Sequence, residues 1–299
     1  MTHSAPTGAA QAVALPRGRS LDLSTPRVMG VLNVTPDSFS DGGEFASPAA
    51  ALARALQIAE EGAAVLDLGG ESTRPGARSV PVAEEEARVL PVIEALVARD
   101  YPLPISIDTR RARVARSALA AGASLVNDVT GLADPEMAGV VAEAGAGLVI
   151  GHIRGTPETM QKDPRYQDVV VEVELELLMA RARAISAGVA QERVLLDPGI
   201  GFGKLLEHNL ALLGAIPRLA AHGPLVIGVS RKAMLGHLLG GREPRQRAAG
   251  GVGAAVFAAL RGASLIRTHD VAATRDALVV AWALEQAARA AREEGSRVA

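Results

Sequence analysis

A carboxylate at the end of a short apolar run is the first feature of this sequence that suggests chemistry. Asp197 follows the apolar run at 194–196 and precedes a loop with glycines at positions 199, 201 and 203. Glycine permits φ > 0 and lets a ligand approach the backbone closely, so this loop could hold a ligand against the carboxylate. An isolated Asp-Pro-Gly more often satisfies a turn or caps a helix. The functional interpretation therefore depends on whether other apolar runs end in the same way.

Polar side chains do end the other apolar runs. These residues are Asn33, Asp67, Asp108, Asn127, Asp128, His152, Ser230, Lys232, Arg267 and His269. Several of the runs follow a Gly-Ala pair at the end of an Ala-rich segment, at 62–63, 122–123, 145–146 and 262–263. Because glycine readily takes the left-handed conformation that closes a helix, the repeat predicts alternating helices and parallel strands.

Eight such units follow one another, which predicts an α/β fold of the (β/α)8 TIM-barrel type in a single domain. The polar residues would then share the rim formed by the C-terminal ends of the strands. A doubly wound sheet would show a glycine fingerprint after the first strand, whereas the sequence there reads Asn33-Val34-Thr35-Pro36. We expect residues 1–26 to be a flexible N-terminal extension, residues 27–290 to form the barrel, and residues 291–299 to be a charged tail.

Composition excludes several classes of protein. The chain has 299 residues, of which 48% are hydrophobic and 2% aromatic, a balance that suits a barrel filled with branched aliphatic side chains. The formal net charge of −2 argues against a nucleic-acid partner. The absence of cysteine excludes disulfides, thiolate metal sites and a cysteine nucleophile. No apolar run is long enough for a membrane span and the N-terminus does not resemble a signal peptide, so we expect a cytoplasmic protein.

The predicted rim divides by charge. Asp108, Asn127 and Asp197 form an acceptor-rich patch, and Lys232, Arg267 and His269 form a cationic one. Asn33 lies beside the cationic patch because the first and last strands adjoin in a closed barrel. A matching ligand has a donor-rich heterocycle at one end and an anion such as phosphate at the other. The rim has too few carboxylates to surround a Mg²⁺ ion with protein ligands alone. We therefore expect a Mg²⁺ ion that is shared between Asn33 and substrate phosphates.

Some rim carboxylates are expected to be structural. Asp67 precedes a Gly-Gly pair and is expected to brace the neighbouring loops, and Asp128 is expected to hold backbone amides near Thr130. The residues alone leave an enzyme and a ligand-binding protein equally open.

Long motifs then carry a resemblance over residues 27–285. They are 32–43 (LNVTPDSFSDGG), 69–76 (GGESTRPG), 106–109 (SIDT), 127–129 (NDV), 197–204 (DPGIGFGK), 230–232 (SRK) and 267–270 (RTHD). In these motifs the chain resembles the dihydropteroate synthase family of folate biosynthesis, whose members bind pterins and act as homodimers. The resemblance implies a transferase that condenses 6-hydroxymethyl-7,8-dihydropterin diphosphate with p-aminobenzoate, giving 7,8-dihydropteroate and diphosphate.

The resemblance also assigns roles to residues. It implies pterin binding by Asp108, Asn127, Asp197 and Lys232. It implies diphosphate binding by Asn33, Arg267 and His269, with Mg²⁺ at Asn33. It implies p-aminobenzoate binding by Thr73, Arg74, Pro75, Phe202 and Ser230. Of these residues, Asp108, Lys232 and Arg74 are expected to be catalytic. Diphosphate departure is expected to precede attack by the aniline nitrogen, so no strong general base is required.

One segment departs from the family pattern at two positions. The fifth strand of the family usually ends in Met-His-Met, and here the residues are Gly151, His152 and Ile153. A methionine that would pack on the pterin is therefore replaced by Gly or Ile, depending on which side faces inward, and we expect a looser pocket. Two alternative functions stay open: a methyltetrahydrofolate-dependent methyltransferase, which would not need the loop at 72–75, and a silent pterin-binding homologue, which would be expected to lose Asn33, Arg74 or Lys232.

Overall fold

An N-terminal hairpin precedes the barrel in the computed structural model, which describes residues 12–35, 48–74 and 76–298. Its antiparallel strands are β1 (Ala12–Ala14) and β2 (Ser20–Asp22). The alternating burial of the two strands turns Val13 and Leu21 inward, at 0% and 2% exposure.

The barrel strands follow in sequence order. They are β3 (Arg27–Asn33), β4 (Val65–Gly69), β5 (Ile105–Asp108), β6 (Leu125–Asp128), β7 (Gly147–Ile150), β8 (Val194–Leu196), β9 (Val226–Gly228) and β10 (Leu265–Thr268). They pair in the order β8-β7-β6-β5-β4-β3-β10-β9, and every pair is parallel. A parallel bridge between Leu196 and Leu225 joins the two ends of this order. The expected TIM barrel is therefore confirmed.

Helices cover the outside of the barrel. They are α1 (Pro48–Glu60), α2 (Val82–Val97), α3 (Ala112–Ala121), α4 (Met137–Ala144), α5 (Val169–Ser186), α6 (Leu206–Gly214), α7 (Ile216–Ala220), α8 (Ala233–Leu238), α9 (Ala248–Leu260) and α10 (Val271–Val298). Two helices instead of one follow β8, and two follow β9, so the single helix predicted in each of these units is divided. No helix in the described part of the chain is long and apolar enough to cross a membrane.

Local sequence explains where the helices end. Gly122 ends α3 with φ 132°, and Gly145 ends α4 in the left-handed conformation with φ 58°. At Gly122, the Cβ of any other residue would lie 2.4 Å from the side chain of Val97. Asp168 begins α5 by accepting hydrogen bonds from the backbone N–H groups of Val170 and Val171. The two glycines therefore fix the points at which the chain leaves α3 and α4 and returns to the next strand of the barrel.

The bottom of the barrel corrects the expected flexible extension. The hairpin packs into a cluster of inward-facing strand residues, namely Val13, Leu15, Leu21, Met29, Val65, Leu125, Val149, Leu195, Val226 and Leu265. Arg17 Nη1 donates to the carbonyl of Gly122 at 2.8 Å, and Arg19 Nη2 donates to that of Tyr101 at 2.7 Å. The expectation for residues 12–26 was wrong. Apolar residues alternate with exposed ones in β1 and β2 and fill the bottom of the barrel, but the segment is otherwise rich in Ala, Pro and Gly, so this pattern is weak in the sequence. At the other end, α10 continues to Val298, so most of the expected charged tail is helical.

Candidate active site

The C-terminal ends of β4, β5, β6 and β10 place a buried ionic cluster at the barrel mouth. Arg267 Nε donates to Asp67 Oδ2 at 2.6 Å, and Arg267 Nη2 donates to Asp108 Oδ2 at 2.6 Å. Asn127 Nδ2 donates to Asp67 Oδ2 at 3.1 Å. Asp67 is 0% exposed and Asp108 is 5% exposed, so these carboxylates need the guanidinium as a counter-charge.

This cluster corrects the division of the rim into two patches. Arg267, expected on the cationic side, extends across the barrel into the acceptor side, where it binds Asp108. Asp67 does not brace neighbouring loops; it holds Arg267 and Asn127. Asp128 behaves as expected, because its carboxylate accepts hydrogen bonds from the backbone of Thr130 and Leu132. The acceptor and cationic groups therefore form one interlocked site.

Burial sets the protonation of this cluster. It raises the pKa of Asp108 above its usual range, while the nearby Arg267 opposes that effect. Burial opposes ionisation of Arg267 as well, but the carboxylates of Asp67 and Asp108 raise the pKa of the guanidinium. Within the described residues, Asp67 Oδ1 and Asp108 Oδ1 are buried and have no hydrogen-bond partner. Such unused acceptors suit a ligand that brings N–H donors.

Asp197 lies just beyond the end of β8, half-buried. Its Oδ1 accepts a hydrogen bond from the backbone N–H of Gly199 at 2.8 Å. Burial raises the pKa of Asp197, whereas this hydrogen bond and the positive charges of Lys232 and Arg267 lower it. The carboxylate thus lies near both cations, and its role as pterin anchor stays a prediction.

The glycines after Asp197 have a packing role that the sequence did not indicate. A Cβ at Gly199 would lie 1.8 Å from the carbonyl oxygen of His152, and one at Gly203 would lie 2.5 Å from that of Arg154. Both residues have positive φ, 67° and 61°. At these two positions glycine is therefore required by the approach of the loop after β7, not by a ligand.

Lys232 and Phe202 form one wall of the site. The Lys232 ammonium lies 3.9 Å from the centre of the Phe202 ring, a cation–π contact. Burial and the charge of Arg267 lower the pKa of Lys232 to about 8. Phe202 packs with Val129, Met160 and Ile153. This apolar wall offers a surface for a flat heterocycle beside the acceptor groups.

Gly151 does not face this wall. A Cβ there would lie 2.6 Å from the Cα of Val129, so a methionine at 151 would clash with the backbone of the loop that follows β6. Ile153 is the residue of the pair that joins the wall, together with Met160. Ile153 therefore supports the Phe202 wall by packing, and neither 151 nor 153 lines the cavity at the barrel mouth.

Lys204 and His152 bond to each other; Lys204 also lines the cavity at the barrel mouth, whereas His152 does not. Lys204 Nζ donates to His152 Nδ1 at 3.0 Å and to the carbonyl of Phe202 at 2.9 Å, and His152 Nε2 lies 2.9 Å from Glu176 Oε2. Burial lowers the pKa of Lys204 to about 7 and that of His152 to about 3. The sequence placed His152 on the rim, and His152 instead connects the loop after β7 to Lys204 in the loop after β8.

The loop after β9 meets the end of β10 at a second polar cluster. The backbone N–H of His269 donates to Ser230 Oγ at 3.2 Å, and Arg231 Nη2 donates to Asp270 Oδ1 at 2.7 Å. Arg231 holds a left-handed conformation, with φ 61°. Burial lowers the pKa of His269 to about 3, and the charges of Arg267, Arg231 and Arg74 lower it further. In the free protein His269 is therefore a neutral hydrogen-bonding group, not the cation expected from the sequence.

An open cavity of about 2200 Å³ spans the mouth of the barrel. Many of the predicted site residues line it: Asn33, Thr73, Arg74, Phe202, Ser230, Lys232, Arg267 and His269. Arg74 is exposed on this surface, and Asn33 is half-buried at the end of β3. Pro75 and residues 36–47 lie outside the described residues. The cavity thus joins the cationic groups, the Phe202 wall and the loop that carries Arg74.

Asp67, Arg231 and Asp270 make site contacts that the sequence interpretation did not predict. Asp67 ends an apolar run like the other rim residues. The sequence does not show that Asp67 is completely buried, and burial is the reason why it pairs with Arg267. Arg231 and Asp270 stand inside the motifs at 230–232 and 267–270, and their ion pair links the two motifs. The assembled site can accept donors deep in the barrel, bind an anion near Arg267 and Ser230, and hold a second small molecule under Arg74.

Comparisons with known proteins agree with this chemistry. A family model described as pterin binding enzyme matches residues 29–269. Dihydropteroate synthase of Escherichia coli K12 is 46% identical over 265 residues, which cover 88% of this chain and 93% of the relative. Dihydropteroate synthase of Mycobacterium leprae is 47% identical over 272 residues, covering 88% of this chain and 95% of the relative.

Solved structures agree as well. Dihydropteroate synthase of Xanthomonas albilineans with 4-aminobenzoic acid superposes with a TM-score of 0.86 at 48% identity, over 93% of this chain and 99% of that one. The same enzyme in complex with 7,8-dihydropteroate gives a TM-score of 0.81 at 47% identity, over 90% and 97% of the two chains. The chain described here belongs to the pterin-binding enzyme family and, within it, to the dihydropteroate synthases.

Proposed function

We propose that this protein is a dihydropteroate synthase, which joins 6-hydroxymethyl-7,8-dihydropterin diphosphate to p-aminobenzoate and releases 7,8-dihydropteroate and diphosphate. The observation that carries the proposal is the meeting of Asp108, Asn127, Asp197 and Lys232 with Arg267 at one barrel mouth. Structures of the Xanthomonas albilineans enzyme contain 4-aminobenzoic acid and 7,8-dihydropteroate. These are a substrate and the product of the same reaction.

Recognition of the pterin follows from the acceptors. The 2-amino-4-oxo edge of a pterin presents adjacent N–H donors, and the Asp197 carboxylate can accept both of them. Asp108 Oδ1 is a further buried acceptor without a partner among the described residues. Lys232 can donate to the ring carbonyl or a ring nitrogen while it stays over Phe202. The ring is thereby fixed with its methylene group turned towards Arg267 and His269.

The first chemical step breaks the bond between the methylene carbon and the diphosphate oxygen. The bonding electron pair leaves with diphosphate, whose growing charge Arg267 can stabilise. Ser230 and the neutral His269 lie beside Arg267 and can add hydrogen bonds. The remaining methylene cation is conjugated with the pterin ring, and the Asp108 carboxylate stabilises it electrostatically.

The second step forms the carbon–nitrogen bond. The lone pair of the aniline nitrogen of p-aminobenzoate attacks the methylene cation, and the resulting ammonium loses a proton to solvent. Thr73, Arg74, Pro75, Phe202 and Ser230 are the residues that we propose for the p-aminobenzoate site. Arg74 can bind the carboxylate of this substrate at the cavity surface, where it is exposed. Because the nitrogen is already a free base near neutral pH, the site needs no strong general base.

A Mg²⁺ ion belongs to the proposal, with Asn33 as its protein ligand. A Cβ at position 69 would lie 3.4 Å from Asn33 Oδ1, so Gly69 leaves space beside this amide oxygen. The described residues contain no cluster of three or more His, Asp and Glu side chains that could hold a metal ion. A hard oxygen ligand of this kind fits Mg²⁺ that takes its other ligands from phosphates and water. When bound, the ion would neutralise charge on the diphosphate.

A homodimer and a cytoplasmic location complete the proposal. Large apolar side chains stand exposed on the last two helices, with Phe257 at 41%, Val279 at 59% and Leu284 at 66%. An exposed apolar face of this kind suits a contact between two copies of the chain. Light scattering should give the mass of a dimer, and Leu284→Asp should lower it towards that of a monomer. The diphosphate substrate carries charges that do not cross a bilayer unaided, so we propose that the enzyme works where that substrate is made.

The proposal is tested by product analysis. The purified protein should convert dihydropterin diphosphate, p-aminobenzoate and Mg²⁺ into 7,8-dihydropteroate, identified by mass. Lys232→Ala should lose most of this activity while keeping its fold. Binding of a pterin without any product would identify a silent homologue, and methyl transfer from methyltetrahydrofolate would identify a methyltransferase. Either result would refute the proposal.

A further inference from the structure

The loop at residues 69–80 leaves the end of β4, carries Thr73 and Arg74, and returns to the start of α2. Two consecutive arginines, Arg110 and Arg111, hold both ends of this loop from the turn between β5 and α3. Neither arginine lines the cavity at the barrel mouth. Their contacts therefore act on the loop and not on a ligand.

The first half of the loop is held through Glu71. Arg110 Nη2 lies 3.1 Å from Glu71 Oε1, and Arg111 Nη1 lies 2.9 Å from Glu71 Oε2. Glu71 is 8% exposed, so its charge depends on these two partners. Arg88 adds a bond to the carbonyl of Gly70 at 2.7 Å.

The second half is held through Ser79 and Val80. Ser79 Oγ accepts from Arg110 Nη2 at 2.9 Å and from Arg111 Nη2 at 2.7 Å. The carbonyl of Val80 accepts from Arg111 Nη2 at 2.7 Å. The two arginines thus form a clasp between positions on either side of the segment that carries Arg74.

The clasp is fixed to the strand that carries Asp108. Arg111 Nη1 is ion-paired with Glu85, which is 0% exposed. Glu85 Oε1 also accepts a hydrogen bond from Thr109 Oγ1 at 2.6 Å. Thr109 is the residue after Asp108, so the end of β5 supports both the pterin site and the clasp.

The segment between the clasped ends has fewer contacts of its own. Among its described residues, the backbone N–H of Gly76 donates to the carbonyl of Pro157 at 2.9 Å, and that of Ala77 donates to the carbonyl of Arg74. The backbone N–H of Arg74 lies 3.4 Å from Ser72 Oγ. The position of Arg74 over the cavity therefore depends strongly on the ends of the loop.

We propose that Arg110 and Arg111 are positioning residues for p-aminobenzoate: they hold the loop at 69–80 so that Thr73 and Arg74 face the cavity. This inference rests on the proposed function, because it assigns that loop to p-aminobenzoate. Loss of the clasp leaves the acceptors for the pterin in place and costs binding energy for the second substrate, which must then order the loop.

Three variants test the proposal with steady-state kinetics. Arg110→Met removes one arm of the clasp, and Ser79→Ala removes the shared acceptor, while both leave the buried pair of Arg111 and Glu85 intact. The control is Arg113→Met, because Arg113 lies on α3, is 74% exposed and reaches Glu86 only at 3.5 Å. We expect the KM for p-aminobenzoate to rise fivefold or more in the first two variants. The KM for the pterin diphosphate should stay within twofold, and the control should change neither.

A double-mutant cycle shows whether the clasp acts through Arg74. In an Arg74→Ala background, Arg110→Met should cause little further rise in the KM for p-aminobenzoate, because the group it positions is already gone. Arg110→Lys, which keeps a charge near Glu71, should restore part of the affinity. An equal rise in both KM values, or effects that add fully to that of Arg74→Ala, would overturn the proposal.

Limited proteolysis gives a readout that does not depend on activity. Trypsin can cleave after Arg78, and the clasp should protect that bond. Cleavage should be at least fivefold faster in Arg110→Met than in the wild type and in Arg113→Met. If the wild type makes no dihydropteroate, the proposed function fails, whereas the clasp is still judged by this cleavage rate. Equal cleavage in the three proteins would refute the clasp itself.

Discussion

Replacing Asp197 by Asn tests the pterin anchor with a change of a single atom type. Asp197 Oδ1 accepts from the backbone N–H of Gly199 at 2.8 Å, and the oxygen of Asn can keep that bond. The amide NH₂ then takes the place of the second carboxylate oxygen and faces the N–H donors of the pterin. A donor buried against a donor costs about 2–4 kcal/mol, which is roughly a 30- to 1000-fold loss of affinity.

Stability and binding should respond in opposite ways. Because burial raises the pKa of Asp197, the ionised group disfavours the folded free protein, and a neutral Asn should leave the melting temperature unchanged or higher. Calorimetric titration with 6-hydroxymethylpterin measures the affinity. The matched control is Asp128→Asn, since Asp128 bonds to the backbone of Thr130 and Leu132. That variant should lower stability by about 1 kcal/mol and leave the affinity within threefold. A pterin affinity of Asp197→Asn within threefold of the wild type would refute the anchor role.

Three further predictions concern the hairpin, the order of binding and a buried lysine. Leu21→Ala should lower the free energy of unfolding by about 2–4 kcal/mol in urea, while Leu175→Ala, 57% exposed, should change it by less than about 0.5 kcal/mol. The affinity for p-aminobenzoate should rise tenfold or more in calorimetry once Mg²⁺, diphosphate and a pterin analogue are bound, and Asn33→Ala should abolish that gain; equal affinities would show a preformed site. The pKa of Lys204 is about 7 in the folded protein against 10.5 for a free lysine, so the folded state binds fewer protons between these values and its stability should rise with pH. The wild type should therefore gain stability relative to Lys204→Met between pH 7 and pH 10, and a constant difference in urea unfolding would contradict the lowered pKa of Lys204.

The barrel and the position of most candidate residues at its mouth could be predicted because they depend on local signals. The apolar run between Pro104 and Asp108, for example, forms the strand β5 over Ile105–Asp108. Repeated Gly-Ala pairs placed the parallel strands in order. Parallel strands of a closed barrel bring their C-terminal ends together, so the candidate residues had to meet at one rim.

The contacts within the site could not be predicted, because they depend on distances across the barrel. Arg267 reaches Asp67 and Asp108 only through the register of β10, β3 and β4, which no local pattern encodes. Lys204 turns inward because the loop after Asp197 presses against the carbonyl of His152. The neutral state of His269 likewise follows from burial, which the sequence does not show.

The N-terminal hairpin shows a third limit. Val13 and Leu21 stand among Ala, Pro, Thr and Gly, and the average composition of the segment suggested an extension without structure. Their burial depends on the open bottom of the barrel, whose apolar residues come from strands far along the chain. Local composition therefore did not predict the hairpin, because the apolar surface on which it packs is formed by distant strands.

Release of diphosphate, followed with and without p-aminobenzoate, shows whether this barrel mouth performs the condensation. With dihydropterin diphosphate, Mg²⁺ and p-aminobenzoate, we expect sustained release of one diphosphate for each dihydropteroate formed. Without p-aminobenzoate, sustained release should be absent, and Arg74→Ala should slow the reaction most at low p-aminobenzoate. Sustained release at the same rate without p-aminobenzoate, or no release with it, would contradict the assignment of this barrel mouth to the condensation.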